Sequence, residues 1–246
     1  MKHAFLAAAA LALFAPVGLS PSPAQAKGID GHIAVALVDP LRPEDDKERD
    51  GERKPFEIID FAGVEPGMTV IEYSPGGGYY TRLLSRVVGP EGKVYALVPA
   101  GFAQREGALD RINALAEQYG NVEVVPADFA NYLLPEQADV AWTTENYHDF
   151  VNGPDIAGIN AATFAALKPG GIFFVEDHDA PGTGIGATRT LHRIDAEAVK
   201  EQVTVAGFVL EAESDVLDNP NDPHDVSPRE VQPTSDKFAL RFRKPG

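Results

Sequence analysis

Three polar runs hold the residues best suited to chemistry. Thr143-Thr144-Glu145-Asn146-Tyr147-His148-Asp149 brings an amide, an imidazole and two carboxylates close together. Histidine ionises near neutral pH, so His148 has the range of a general base. Asp149 is near enough in sequence to orient its ring, and Asn146 can hold a bound molecule through its amide. Glu176-Asp177-His178-Asp179 is the second run, and His192-Arg193 the third. His148, His178 and His192, with Asp149 or Asp177, make a donor set that a divalent metal would accept. No HxH or HExxH spacing accompanies them, so this reading assigns no metal. The run Asn219-Pro220-Asn221-Asp222-Pro223-His224-Asp225 is oxygen-rich but lacks calcium-loop spacing. The chain has no cysteine, which excludes thiol catalysis and cysteine-ligated zinc.

A further feature is backbone rather than side chain. Residues 68–73 form a short apolar run with the acid Glu72 near its end. Ser74-Pro75-Gly76-Gly77-Gly78 follows, and then Tyr80, Leu83, Leu84, Val87 and Val88 recur with a helical period. A strand, a glycine turn and a helix in that order put bare N–H groups where a ligand can approach. Glycine serves there because a Cβ would block the approach and because some turn positions need φ > 0.

The elements that must position these residues alternate along the chain. Residues 93–98, 122–126, 138–143 and 172–176 read as further strands. Helical patterns cover 55–62, 106–119 and 155–167, with Gly63 and Gly120 closing the first two. Asp195 reads as the N-cap of a helix that ends near Gly207, and 208–214 and 237–243 complete the strands. This alternation predicts an α/β fold with a parallel, doubly wound sheet. Ligands of such sheets sit beyond the carboxyl ends of the strands, where the polar runs fall. Residues 33–38 are apolar and fit a helix or a strand equally. The charge-dense segment 40–54 reads first as a solvated surface helix, with a cover over the ligand cleft as the second reading. Residues 215–236 form a long loop able to lid the pocket.

Glu72-Tyr73 with the Ser74–Gly78 turn resembles the first motif of class I S-adenosylmethionine-dependent methyltransferases. That motif is an acid, one residue and G-x-G-x-G, and Ser74 stands at its first glycine. Asp128-Phe129 after the third strand is similar to a second acidic landmark of the family. Leu167-Lys168-Pro169-Gly170-Gly171 is similar to the opening of its fifth strand. The resemblance runs over roughly residues 55–243. It is nearest a group of exported bacterial predicted methyltransferases with S-P-G-G-G-Y-Y-T and N-x-H-D segments.

The resemblance implies a Rossmann-like seven-stranded sheet with helices on both faces. Its last strand would insert antiparallel between the fifth and sixth. It implies S-adenosyl-L-methionine as cofactor, bound at Glu72, Ser74, Gly76, Gly78, Tyr79, Asp128 and Phe129. The Gly76 and Gly78 backbone would meet the amino acid part, with Glu72 reaching it directly or through water. Asp128 would face the adenine amino group and Phe129 its ring. The methyl acceptor would lie against the end of the fourth strand. His148, Asn146, Asp149 and His178 are then the candidate catalytic residues, with His148 the base or acceptor-positioning group. Methyl transfer is an in-line displacement, so positioning dominates. One position departs from the family. Val98 stands where an acid usually binds both ribose hydroxyls, and Glu106 and Asp110 are the nearest substitutes. Each lost charged hydrogen bond costs roughly 1.5–3 kcal/mol, one to two decades of affinity.

Residues 1–26 read as a Sec-type signal peptide. Lys2 and His3 open it, residues 4–15 are apolar, and Ala24-Gln25-Ala26 is the cleavage motif. The expected product is periplasmic or secreted, with a helical extension at 27–54 and a methyltransferase-like domain at 55–246. The net charge of −16 becomes −17 once Lys2 leaves. Phosphate backbones and anionic membranes repel such a chain. The expected partner is therefore a small molecule, with neither nucleic acid nor, after signal removal, a membrane. The expected function is methyl transfer to a small-molecule acceptor. The alternative is an exported, non-enzymatic small-ligand-binding module on the same fold. No motif names the acceptor or the oligomeric state.

Overall fold

The computed structural model describes Met1, residues 29–231 and residues 233–246. Apart from Met1, the expected signal peptide and the first two residues of the extension lie outside the described residues. The strands are β1 (Thr69–Tyr73), β2 (Lys93–Pro99), β3 (Val122–Ala127), β4 (Ala138–Thr144), β5 (Leu167–His178), β6 (Val209–Ser214) and β7 (Lys237–Arg243). The first helices are α1 (Ile29–Leu37), α2 (Glu44–Glu48), α3 (Asp50–Arg53), α4 (Pro55–Ala62) and α5 (Tyr79–Val88). After β2 come α6 (Ala100–Ala103), α7 (Asp110–Tyr119), α8 (Tyr147–Val151), α9 (Ile156–Ala166), α10 (Thr188–Leu191) and α11 (Ala196–Val205).

The seven strands form one sheet in the order β3-β2-β1-β4-β5-β7-β6. β1 to β5 pair in parallel, and β7 runs antiparallel between β5 and β6. The chain steps outward from β1 through β2 to β3 and then returns to β4. The crevice between β1 and β4 is therefore the switch point, where ligands of such sheets bind.

β1 is buried along its whole length, as expected of a parallel strand covered on both faces. Val70, Val94, Val140, Trp142 and Phe174 pack on one face under α1, α4 and α5. Tyr73, Leu97, Phe173 and Val175 pack on the other, under α8, α9 and α11. Tyr80, Leu83, Leu84, Val87 and Val88 of α5 are all buried. Each such side chain contributes roughly 1.5–3 kcal/mol of burial energy.

Three local features differ from the sequence reading. Residues 33–37 resolve as helix, because Ile33 and Ala36 point inward three apart while Val35 faces solvent. β5 starts at Leu167 rather than at 172, because Leu167 pairs with Ala138 across an irregularity in the ladder. The charge-dense segment is not a solvated helix. It forms α2 and α3, whose charges pair with distant elements. Arg42 grips Asp50 at 2.5 and 3.0 Å, Arg82 of α5 meets Asp46 at 2.9 Å, and Arg53 meets Glu145 at 2.6 Å. Arg42, Asp46 and Arg53 are buried by these contacts.

The 215–236 loop is anchored from within. Arg193 and Asp222 form a buried ion pair at 2.9 Å. Asp222 also accepts from the Asp236 N–H at 2.7 Å, and His224 meets the Asp236 carboxylate at 2.8 Å. The oxygen-rich run thus spends its polar groups on holding the loop.

Candidate functional site

A cavity of about 950 Å³ opens beyond β4 and β5. The β4–α8 junction contributes Glu145, Asn146, His148 and Asp149 to its lining. β5 contributes His178, β7 contributes Lys237, and His192 follows α10. Arg49, Glu52 and Arg53 wall one side, and Ser227, Arg229, Val231 and residues 233–235 of the long loop wall another. The candidate catalytic residues Asn146, His148, Asp149 and His178 therefore share one chamber. Part of this polar run is helical. Asn146 is the N-cap residue of α8, and Tyr147 and Phe150 bury its apolar side. The Asn146 amide turns back to donate to the Thr144 carbonyl at 2.6 Å.

His148 is only 4% exposed, and its ring is fixed by Asp177 rather than by Asp149. Nδ1 donates to Asp177 Oδ1 at 2.8 Å, and the His148 backbone N–H donates to Asp177 Oδ2 at 2.8 Å. The His178 N–H adds a third bond to Asp177 Oδ1 at 2.8 Å. Three hydrogen bonds thus surround this fully buried carboxylate. Burial works against a charged His148, but Asp177 and then Asp149 outweigh it, so its pKa moves up. Nε2 stands 3.6 Å from Asp149 Oδ1 at the chamber and makes no hydrogen bond among the described residues. Such a nitrogen can take a proton or ligate a cation. His178 behaves oppositely. Burial pushes its pKa down to about 4, and its Nδ1 bonds Ser235 Oγ at 2.7 Å.

Glu145 joins three elements in the chamber wall. Its backbone is left-handed at φ +55. Its carboxylate accepts from Arg53 of α3 and Lys237 of β7, each at 2.6 Å. Burial opposes its charge, but Lys237 and Arg53 hold its pKa well below the usual carboxylate range. Lys237 also lies 3.4 Å from Glu176, whose pKa burial pushes up. The sequence reading did not assign roles to Glu145, Glu176, Lys237 or Arg53. A charged residue beginning a strand or ending a short helix carries no local sign of burial.

The cofactor candidates lie along the other half of the edge. Ser74, Gly76 and Gly78 all have positive φ, at +50, +54 and +82. Around Gly76 there is open space, since an added Cβ would have only the Ser74 carbonyl at 4.0 Å. Gly78 is needed for another reason, because an added Cβ would meet Leu115 Cδ1 of α7 at 2.3 Å. Glu72 is buried, and its Oε2 has no hydrogen-bond partner. Burial pushes its pKa up to about 7 against the pull of Thr81 and Arg82. Tyr79 donates to Asp50 Oδ1 at 2.6 Å and lies against Arg42, Arg49 and Arg53, so it is tied to α3. Asp128 is exposed and accepts from the Ala130 N–H at 3.1 Å. Phe129 is buried, edge-on to Tyr73 and Phe150 at 5.1 and 5.4 Å. Val98 packs with Ile112 and Leu115 of α7, and Glu106 and Asp110 are exposed.

No family model matches the chain. It is 28% identical over 127 residues to a protein-L-isoaspartate O-methyltransferase of Ignicoccus hospitalis, covering 51% of this chain and 54% of that one. It is 29% identical over 131 residues to a ubiquinone/menaquinone biosynthesis C-methyltransferase of Ectopseudomonas mendocina, covering 50% and 47%. The chain thus spans about half the length of these curated relatives. A SAM-dependent methyltransferase from Aquifex aeolicus shares the architecture with a TM-score of 0.60 at 18% identity, over 83% of this chain and 99% of that one. The fold is that of the class I S-adenosylmethionine-dependent methyltransferases.

Proposed function

We propose that this protein transfers a methyl group from S-adenosyl-L-methionine to a small molecule held in the chamber beside His148. The observation that carries the reading is the His148–Asp177 pair between α8 and the end of β5, on a sheet whose switch point lies between β1 and β4. The residues present fit the cofactor at its amino acid end. Gly76 leaves open space, and the buried Glu72 Oε2 has an unmet acceptor. Glu72, the Ser74–Gly78 backbone and Asp128 would hold the cofactor, which supplies an electrophilic methyl group when bound. Val98 offers the ribose nothing to hydrogen-bond, so affinity rests on the remaining contacts.

The side chains do the positioning. Asp177 fixes the His148 ring so that Nε2 faces the acceptor's polar atom. The relatives act on different acceptors by their names, so the acceptor here is not carried over from them. The leader pattern in residues 2–26 supports action outside the cytoplasm, within the exported group named above. The net charge of −16 supports a small-molecule partner over nucleic acid. A purely binding protein would explain Val98, but it has no need of an imidazole oriented by a buried carboxylate.

Calorimetry with S-adenosylmethionine and S-adenosylhomocysteine tests the reading. One molecule of either should bind per chain, and Asp128→Ala should weaken binding by about 1–3 kcal/mol. A mass-spectrometric screen of phenols, amines, thiols and small acids should then yield a methylated product. Absence of binding to both compounds would remove the proposal. Binding without transfer across the screen would favour the binding module.

A further inference from the structure

We infer that His148, Asp149 and His192 form a site for one divalent transition-metal ion, of the zinc or cobalt type, open to the chamber. Three donor atoms from these residues lie within 4.8 Å of one another. His148 Nε2 stands 3.6 Å from Asp149 Oδ1, and His192 Nδ1 stands 3.9 Å from the same oxygen. Neither separation is a hydrogen bond, so the three atoms converge without satisfying one another. Ligands at about 2.0–2.1 Å from a tetrahedral ion stand about 3.3–3.4 Å apart. The two separations to Asp149 Oδ1 exceed that by a few tenths of an ångström, and the third lies within 4.8 Å. The Asp149 and His192 side chains are 59% and 60% exposed, and so have room to move.

The strongest support lies behind the ligands. His148 is almost wholly buried, yet its Nε2 makes no hydrogen bond among the described residues. Its other nitrogen donates to the buried Asp177 at 2.8 Å. A carboxylate on the far nitrogen is the usual support of a metal-bound histidine, because it fixes the tautomer and strengthens the donor. The left-handed backbone of His192, φ +53, ends α10 and presents its ring to His148 at 5.6 Å and 78°. Two imidazoles and one carboxylate favour zinc-like ions over magnesium or calcium. Three protein ligands leave a coordination position free, and the chamber is on that side. The use of the ion rests on the methyl-transfer reading. An acceptor bearing a hydroxyl or carboxyl group would place its oxygen on the ion, which then stands between it and His148. The site itself does not depend on that reading.

Binding of the metal alone is the test, since it needs neither cofactor nor acceptor. The untagged protein is stripped with chelator and titrated with cobalt(II) and zinc(II), followed by visible absorption and calorimetry. One ion per chain should bind, with cobalt giving the intense bands of a four- or five-coordinate centre. His192→Ala should abolish the bands, and this exposed position leaves the fold intact. Asp177→Asn should weaken binding about 10–100-fold. His178→Ala, which removes a neighbouring imidazole outside the set, should leave cobalt and zinc binding unchanged. No stoichiometric binding, or equal binding by His192→Ala, would overturn the inference. Either result would leave cofactor binding and methyl transfer standing, because those are read by other measurements.

Discussion

Beyond β4 and β5, three imidazoles converge on one chamber, whereas beyond β1, β2 and β3 the polar side chains turn away from one another. His148, Asp149 and His192 face a common point, Asp177 braces the His148 ring from behind, and Ser235 holds the His178 ring. On the other half, Glu72 lies buried, Tyr79 is tied to Asp50 and Asp128 bonds its own turn. What that half offers is backbone, a turn with three positive φ angles and open space at Gly76. The contrast separates two ways of building a site. One half depends on the orientation of side chains, and the other on the shape of the chain itself.

The contrast is tested most severely at His148. His148→Ala should lower turnover by about 10²–10⁴-fold while leaving cofactor affinity unchanged in calorimetry. Full activity in both His148→Ala and His178→Ala would mean that the chamber is not where the acceptor reacts.

A smaller effect is expected from Glu72. Its folded pKa, near 7, is above its ordinary 4.5, so the folded state holds the extra proton between these values. Its contribution to stability is full below about pH 4.5, falls as pH rises through about 7, and is flat above. That span is worth about 3 kcal/mol. Urea unfolding at about pH 5 and about pH 8 should show the decline in the native chain and a flatter dependence in Glu72→Gln. An equal decline in both would mean that Glu72 is ionised in the fold.

The two glycines sharpen the contrast further. Gly78→Ala places a Cβ 2.3 Å from Leu115 and should cost about 1–3 kcal/mol of stability through overpacking. Gly76→Ala meets no close atom, so thermal unfolding should register a smaller loss while cofactor affinity falls several-fold. A reversal of that order would mean that Gly78, not Gly76, borders the cofactor.

Much of the frame was legible before any coordinates. The apolar period of α5, the glycine turn before it and the left-handed glycines closing α4 and α7 are local properties of the chain. Hydrophobic period and backbone freedom act over a few residues, so they can be read in order. The alternation of strand and helix then leaves few topologies open. The sequence alone also collected Asn146, His148, Asp149 and His178, because strand ends in such a sheet face one edge.

The partners of these residues were decided by the tertiary structure. Asp149 follows His148 directly, but its carboxylate stands on the Nε2 side of the ring, 3.6 Å away, and not at Nδ1. The carboxylate on His148 Nδ1 comes instead from the neighbouring strand. Thr144 pairs with Glu176 in the β4–β5 ladder, and Asp177 is the next residue along. Glu145 likewise meets Arg53 and Lys237, each 92 residues away, and Lys237 stands opposite His178 in the β5–β7 ladder. Strand register brings such side chains together. Register is set by the packing of the whole sheet and has no trace in the spacing of the residues it joins.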